Sequence, residues 1–142
     1  MRLSTKGQYA VRALVVVALH GDSGPVSLRF IAEREDISEQ YLEQIFMDLR
    51  RAALVTGIRG AGGGYILAKS PAEITSGDIV RAVEGPIRLV DCDHNGPCER
   101  VHVCVTRELW SRVSASMSQV LDDTTLAHLA ACATEKISQE VR

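Results

Sequence analysis

The feature that most constrains the fold is a glycine-rich segment, LVTGIRGAGGGYILAKSP, at residues 54–71. Leu54, Val55 and Ile58 lead into the glycines, and an apolar run, 65–67, leads out of them. Glycines at positions 60 and 62–64 supply the positive φ angles that a hairpin tip needs. We therefore predict two short strands joined by a tight turn. A nucleotide-phosphate loop is disfavoured, because no G-x-x-x-x-G-K-[ST] pattern occurs and no helix follows the glycines at once.

Two short helices are predicted immediately before this hairpin. Ser27 is a suitable N-cap for LRFIAERE, and Ser38 is one for EQYLEQIFMDLRRA. The second helix places Leu42, Ile45, Phe46 and Leu49 on one stripe and polar residues on the other face. Such a pair is the outline of a helix-turn-helix, although any small helical domain offers similar pairs. The hairpin that follows this helix pair is then the wing of a winged helix-turn-helix, with Arg59 at its rim to reach a minor groove.

The remaining segments predict further helices. Thr5–His20 begins with a capping residue and is apolar nearly all round, as in a buried helix. TSGDIVRAVEGP predicts a short helix that ends at Gly85, and IRLVD a brief extended piece. Thr106 is predicted to cap a long helix that ends near Leu121, and a last helix begins near Thr125. The long helix carries one apolar stripe, consisting of Leu109, Trp110, Val113, Met117, Val120 and Leu121.

We thus predict a mostly α, winged helix-turn-helix fold in one compact domain with three regions. Residues 1–84 form the DNA-binding region, 85–105 a cysteine loop, and 106–142 the long helix and a C-terminal helix. A length of 142 residues and 46% hydrophobic content suit one globular domain. No run of 18 apolar residues occurs, so we expect no membrane contact and a cytoplasmic location with reduced thiols. The net charge of −2 by itself argues against a nucleic-acid partner.

The loop DCDHNGPCERVHVCVTRELW carries Cys92, Cys98 and Cys104 at six-residue intervals. Structural zinc sites use closer cysteine pairs and four protein ligands, so zinc fits this spacing poorly. An iron–sulfur cluster fits better, since thiolates are its usual ligands, and Gly96-Pro97 provides a turn for the loop to wrap around it. The alternative is three unconnected surface cysteines. Cys132 lies on an apolar helix face and is expected in the core.

Four segments together resemble the Rrf2 family of bacterial transcription regulators, close to its iron–sulfur cluster regulator branch. They are MRLSTKGQYAVRALV, YLEQIFMDLRRAALV, IRGAGGGYILAKSP and the three loop cysteines, in the family's order and spacing over essentially the whole chain. The resemblance implies a homodimer joined through the helix from Thr106 and bound to double-stranded DNA. It also implies an iron–sulfur cluster, with [2Fe–2S] favoured over [4Fe–4S]. The DNA-contacting positions that it implies are Ser38, Gln40, Tyr41, Glu43 and Gln44 on the recognition helix, with Arg59 and Gly60 on the wing.

Glu43 has a further implication by resemblance. A carboxylate accepts hydrogen bonds only, as from the cytosine amine, and in the family such a residue can make DNA preference depend on the cluster.

One position departs from the family pattern. In the [2Fe–2S] branch a histidine commonly follows the third cysteine by three residues, and here that residue is Arg107. A guanidinium stays protonated and has no lone pair suited to iron. Other branches take the ligand from the first helix of the partner, where this chain has Gln8 and Arg12. The remaining candidates are His102, His94, Glu99, Glu108 or an exogenous ligand, with His102 favoured by reach.

These observations favour a cluster-sensing transcription regulator. The alternatives are a family member that senses through a protein partner or thiol oxidation without a cluster, and a metal-binding or interaction module that does not contact DNA. An enzyme is disfavoured, since no Ser/His/Asp or Cys/His constellation has support in the sequence.

Overall fold

The computed structural model describes residues 2–92 and 98–141. The described chain is mostly helical, with one two-stranded antiparallel sheet. The α-helices are α1 (Thr5–His20), α2 (Leu28–Glu35), α3 (Glu39–Arg51), α4 (Ser76–Glu84), α5 (Arg107–Asp123) and α6 (Leu126–Glu140). The strands are β1 (Val55–Ile58) and β2 (Gly64–Leu67). This arrangement confirms the predicted fold class.

Helix α1 is the centre of the core, packing against α4 and α6. Its N-cap is Ser4, whose hydroxyl accepts from the Gly7 N–H at 3.0 Å, so the cap lies one residue before the predicted Thr5. Every residue of α1 from Ala13 to His20 is buried or half-buried, close to the burial nearly all round that the sequence suggested, and its exposed residues lie in the first half. Arg12, for example, is exposed. The buried side chains of α1 include Ala10, Ala13, Leu14, Val16 and Val17.

Helices α2 and α3 form the predicted helix-turn-helix. The hydroxyls of Ser27 and Ser38 each accept a backbone N–H three residues later at 3.1 Å, which confirms both N-caps. Asp36 makes the turn between them in the left-handed conformation, with φ 54°. The predicted stripe of α3 is fully buried: Leu42, Ile45, Phe46 and Leu49.

The hairpin of β1 and β2 follows α3, as predicted. Its pairing joins Val55 to Leu67 and Ile58 to Gly64. A further pair of hydrogen bonds, at 2.9 and 2.8 Å, joins Val26 to Tyr65 and fastens β2 to the start of α2. Gly64 has to be glycine here, because a Cβ would collide with the Val26 backbone.

Helices α4 to α6 complete the fold. The Arg81 guanidinium on α4 donates to both carboxylate oxygens of Asp122 on α5, at 2.7 and 2.6 Å. Residues 85–90, which follow α4, adopt no regular structure, and the Leu89 N–H donates to the Ser114 hydroxyl at 2.8 Å. Thr125 is the N-cap of α6, as expected. Cys132 is only half-buried, so its assignment to the core was wrong.

Candidate nucleic-acid interface and cysteine loop

The outward face of α3 carries the residues predicted to contact DNA. Gln40, Glu43 and Gln44 are all exposed, opposite the stripe that is fully buried. Ser38 is also exposed, and its hydroxyl caps α3. The helix therefore presents amide and carboxylate groups on a rigid support, the kind of groups that can hydrogen-bond to base edges.

Tyr41 differs from these neighbours because its ring is half-buried. It packs edge-on against Tyr9 of α1, with ring centroids 5.8 Å apart. The Arg12 guanidinium lies 5.2 Å from the centroid of Tyr9 and donates to the Glu35 backbone oxygen at 2.7 Å. Tyr41 thus belongs to a stack that joins α1, α2 and α3. The sequence reasoning did not identify Tyr9 or Arg12 in this role, because their partners are distant in sequence.

A second contact fixes α3 against α1. The Lys6 ammonium donates to the carboxylate of Asp48, which also accepts a longer contact of 3.5 Å from Arg51. Arg50 and Arg51, in the last turn of α3, are exposed. Cations at a helix C-terminus are favourable to the helix, and here they also lie beside the predicted base-reading face.

The wing brings Arg59 and Gly60 to an exposed turn. Gly60 has φ 101°, and its carbonyl accepts from the Gly63 N–H at 2.9 Å, which closes the turn. The base of the wing is held against α3 by the rings of Phe46 and Tyr65, whose centroids are 4.7 Å apart. The arginine is therefore carried on an exposed turn whose base is anchored to the recognition helix.

In the cysteine loop, Cys92, Cys98 and Cys104 are half-buried free thiols. The hydroxyl of Thr106 lies 3.4 Å from the Cys104 sulfur. This contact, the backbone N–H groups of Thr106 and Arg107, and the charge of Arg100 lower the pKa of the Cys104 thiol. Thr106 holds the predicted N-cap position of α5, but its side chain makes no capping hydrogen bond.

Arg107, which replaces the histidine expected by resemblance, has a structural contact. Its Nε donates to the backbone oxygen of Cys92 at 3.1 Å. A hydrogen bond therefore joins the first residue of α5 to the first of the three cysteines.

The other candidate ligands of the cluster either are exposed or lie outside the described residues. His102, Glu99 and Glu108 are exposed, while His94 and the Gly96-Pro97 turn lie outside the described residues. Gln8 and Arg12 are exposed on α1, and Gln8 donates to the Leu3 backbone oxygen. Within residues 2–92 and 98–141, no three His, Cys, Asp or Glu side chains come close enough together to hold a metal ion. By donor chemistry alone, three free thiols match three positions of a thiolate-bound cluster.

Helix α5 buries no residue of its predicted apolar stripe fully: two of the six are exposed and four are half-buried. Leu109 is 49% exposed and Val120 is 66% exposed. Both line a groove of about 940 Å³ between α5, the end of α4 and the N-terminal residues. The lining of this groove includes the apolar residues Val113, Met117 and Leu121 and the charged residues Arg2, Glu84, Arg88 and Arg112.

Comparison with known proteins gave consistent matches. Residues 3–132 match the Rrf2 family, which is described as an iron-dependent transcriptional regulator. The HTH-type transcriptional regulator IscR of Cronobacter sakazakii is 43% identical over 129 residues, which are 91% of this chain and 80% of that protein. The solved structure of T. potens IscR has a TM-score of 0.79 and 43% identity, covering 96% of this chain and 90% of the other. CymR, the global cysteine regulator of B. subtilis, has a TM-score of 0.78 and 44% identity, covering 92% of this chain and 97% of the other.

A second CymR structure, from Staphylococcus aureus, was solved in an oxidized form. It has a TM-score of 0.74 and 38% identity, covering 92% of this chain and 96% of the other.

No described helix is long and apolar enough to cross a membrane.

Proposed function

The chain belongs to the Rrf2 family of transcription regulators, and from this we propose that its affinity for operator DNA depends on an iron–sulfur cluster held by Cys92, Cys98 and Cys104. The family assignment makes it a DNA-binding regulator of the IscR type and not an enzyme. We further propose a cytoplasmic location and three working regions: 1–84 for DNA binding, 85–105 for the cluster, and 106–142 for dimerisation and the C-terminal helix.

The observation that carries DNA binding is the exposed polar face of α3 opposite a fully buried stripe. In the proposed complex this face enters the major groove, where glutamine reads adenine and a carboxylate accepts from the cytosine amine. Gln40, Glu43 and Gln44 are the proposed base-reading residues. Ser38 and Tyr41 contact the DNA near the start of the helix, and both also hold α3 in place.

The wing makes the second contact. We propose that Arg59 enters the minor groove, where the potential is most negative when the groove is narrow. Gly60 lets the backbone of the turn approach a phosphate without steric obstruction. Removing the guanidinium should weaken binding by about 1–3 kcal/mol.

The uncovered groove on α5 supports a homodimer. A large exposed apolar surface on a regulator usually marks an interaction site. In the proposed dimer, α5 of a second copy covers Leu109 and Val120, and the two recognition helices meet successive major grooves about 34 Å apart. A small change in the angle between the subunits then alters how both helices fit the duplex.

The cluster site rests on the cysteine chemistry. A bound cluster would supply redox and ligand-exchange sensitivity, with [2Fe–2S] favoured over [4Fe–4S] by resemblance to the IscR branch. The lowered pKa of the Cys104 thiol favours the thiolate form that binds metals. Arg107 is unsuited to iron, so we propose His102 as the fourth ligand, with His94, Glu99, Glu108 or an exogenous group as the alternatives.

Two contacts connect the cysteine loop to the start of α5. Arg107 and Thr106, at the start of α5, contact Cys92 and Cys104 respectively. We propose that any rearrangement of these cysteines changes the position of the first turn of α5. Since α5 is the proposed dimer helix, the loop can thereby change the relation between the two DNA-binding regions.

A second candidate function is thiol-based sensing without a cluster. It is favoured by the lowered pKa of Cys104, because thiolates are the form that oxidants attack. The solved oxidized form of S. aureus CymR, a structural relative, is consistent with it.

Two measurements test the proposal. Gel-shift titrations at several salt concentrations should show affinity falling steeply with salt, because DNA binding releases counterions; a protein without DNA binding would show no salt-dependent shift. Anaerobically reconstituted protein should be coloured, and Cys92→Ala, Cys98→Ala or Cys104→Ala should abolish the visible absorbance. Cys132→Ala is the matched control and should keep it. A colourless wild-type protein that still binds DNA would favour the thiol alternative.

A further inference from the structure

The exposed face of α3 has an apolar residue at its centre. With about 100° of rotation per residue, Met47 lies roughly 20° around the helix from Gln40, 40° from Glu43 and 60° from Gln44. It lies opposite the buried stripe and is 53% exposed. Helix α3 is described along its whole length, and every other apolar side chain on it is buried or half-buried.

Among the described residues, Met47 belongs neither to the hydrophobic core nor to the side chains packed against it. The core contacts of α3 come from its buried stripe and from Tyr41. The Met47 side chain is therefore accessible to a ligand that approaches this face. Its neighbours on the face are polar or charged, namely Gln40, Glu43, Gln44, Arg50 and Arg51, whereas the methionine is suited to an apolar ligand group.

The major groove offers one apolar group among its hydrogen-bonding edges, the C5-methyl of thymine. From this, and resting on the proposed docking of α3 in the major groove, we infer that Met47 contacts a thymine methyl and helps to set operator specificity. Met47 follows Gln40 by seven residues, about 10.5 Å along the helix axis, which is about three base-pair steps. Gln40 and Gln44 suit adenine, whose partner base is a thymine, so all three side chains favour A·T pairs, each at its own step of the site.

The flexibility of the side chain suits this role. Methionine has three rotatable bonds and a polarisable sulfur, so it can adjust to a methyl group whose position varies with local DNA shape. Burying one methyl group corresponds to about a fourfold change in affinity. The contact therefore adds a preference for one base without dominating the binding.

The test uses uracil, which differs from thymine only in lacking the C5-methyl. A tight-binding duplex is first selected from a random pool with the full-length protein, and each thymine is then replaced singly by uracil. We expect one thymine in each half-site at which the change weakens wild-type binding about fourfold. Met47→Ala should bind the thymine duplex about fourfold more weakly and should not respond to uracil at that position.

Two control variants make the test specific. Met47→Leu keeps an apolar side chain and should retain the response to uracil. Gln44→Ala should bind more weakly overall and still respond to uracil at the same position. The inference is overturned if wild-type protein binds the selected duplex but responds to no thymine replacement, or if Met47→Ala responds as strongly as wild type. If the wild-type protein selects no duplex, the proposed DNA binding itself fails, which is a different result.

Discussion

Ala53 is the residue whose replacement should most clearly raise the stability of the DNA-binding region. It follows the end of α3 with φ 59°, a left-handed conformation that is costly for residues with a Cβ. The Ala53 N–H donates to the Arg50 oxygen at 2.9 Å, and the Leu54 N–H donates to the Leu49 oxygen at 3.0 Å. These are the two hydrogen bonds of a Schellman motif, which usually has glycine at this position.

The expected gain follows from two opposing effects. Replacing alanine by glycine relieves about 1–2 kcal/mol of left-handed strain. It also adds about 0.4–1 kcal/mol of conformational entropy to the unfolded chain. Ala53→Gly should therefore stabilise the protein by about 0.5–1 kcal/mol, which raises Tm by roughly 2–4 °C for a chain of this size.

The neighbouring alanine provides the control. Ala52 has φ −81°, so glycine relieves no strain there and should cost about 0.4–1 kcal/mol. Thermal unfolding at one protein concentration compares the two variants, since oligomerisation makes Tm concentration-dependent. Equal or opposite effects, with Ala53→Gly no more stable than wild type, would refute the account of this turn. DNA affinity of Ala53→Gly should stay unchanged, because the motif keeps its hydrogen bonds.

The other predictions concern the proposed DNA, thiol and dimer contacts. Arg59→Ala should weaken operator binding by about 1–3 kcal/mol in gel-shift titration, and unchanged affinity would remove the wing from the mechanism. Thr106→Val removes the hydroxyl that lowers the pKa of the Cys104 thiol, so alkylation of the metal-free protein should need higher pH. Thr106→Ser keeps a hydroxyl and should alkylate as wild type does; an identical pH profile for Thr106→Val would count against this hydrogen bond. Val120→Asp and Leu109→Asp should shift the protein towards monomer in sedimentation experiments, because each places a charge on the proposed dimer face. A wild-type monomer, or variants that dimerise normally, would rule out this face.

Much of the fold could be predicted because its determinants are local. The caps at Ser27, Ser38 and Thr125 depend on a hydroxyl and a backbone N–H three residues apart, which the sequence displays directly. The glycine-rich turn and the buried stripe of α3 are likewise determined by nearby residues. Glycine at position 64 is also required by the distant Val26 backbone, which a turn pattern alone does not reveal.

Two of the errors arise at helix N-termini, where more than one hydrogen-bond partner is possible. Thr106 was expected to cap α5, yet its hydroxyl lies against the Cys104 sulfur. Thr5 and Ser4 are both suitable caps for α1, and only the structure shows that Ser4 is used. Cys132 was assigned to the core from its apolar neighbours, but α6 buries only its first residue fully, Leu126, and leaves Cys132 half-covered near the His128 ring.

The residue types of the candidate site could be predicted from the sequence, but the contacts between its residues could not. The sequence identified the three cysteines and the departure at Arg107, but the hydrogen bond from Arg107 to the Cys92 oxygen joins residues that are 15 positions apart. Similarly, the polar face of α3 follows from periodicity, whereas the packing of Tyr41 on Tyr9 joins two different helices. Such long-range contacts depend on the assembled fold.

The most direct test of the central claim compares one protein preparation in two states. Metal-free protein is divided, one half is reconstituted anaerobically with iron and sulfide, and the affinity of both halves for the same selected operator is measured at fixed salt. The account predicts visible absorbance in the reconstituted half and a changed operator affinity, with both differences lost in Cys98→Ala. Equal affinity in the two halves, with the cluster present in one of them, would contradict it.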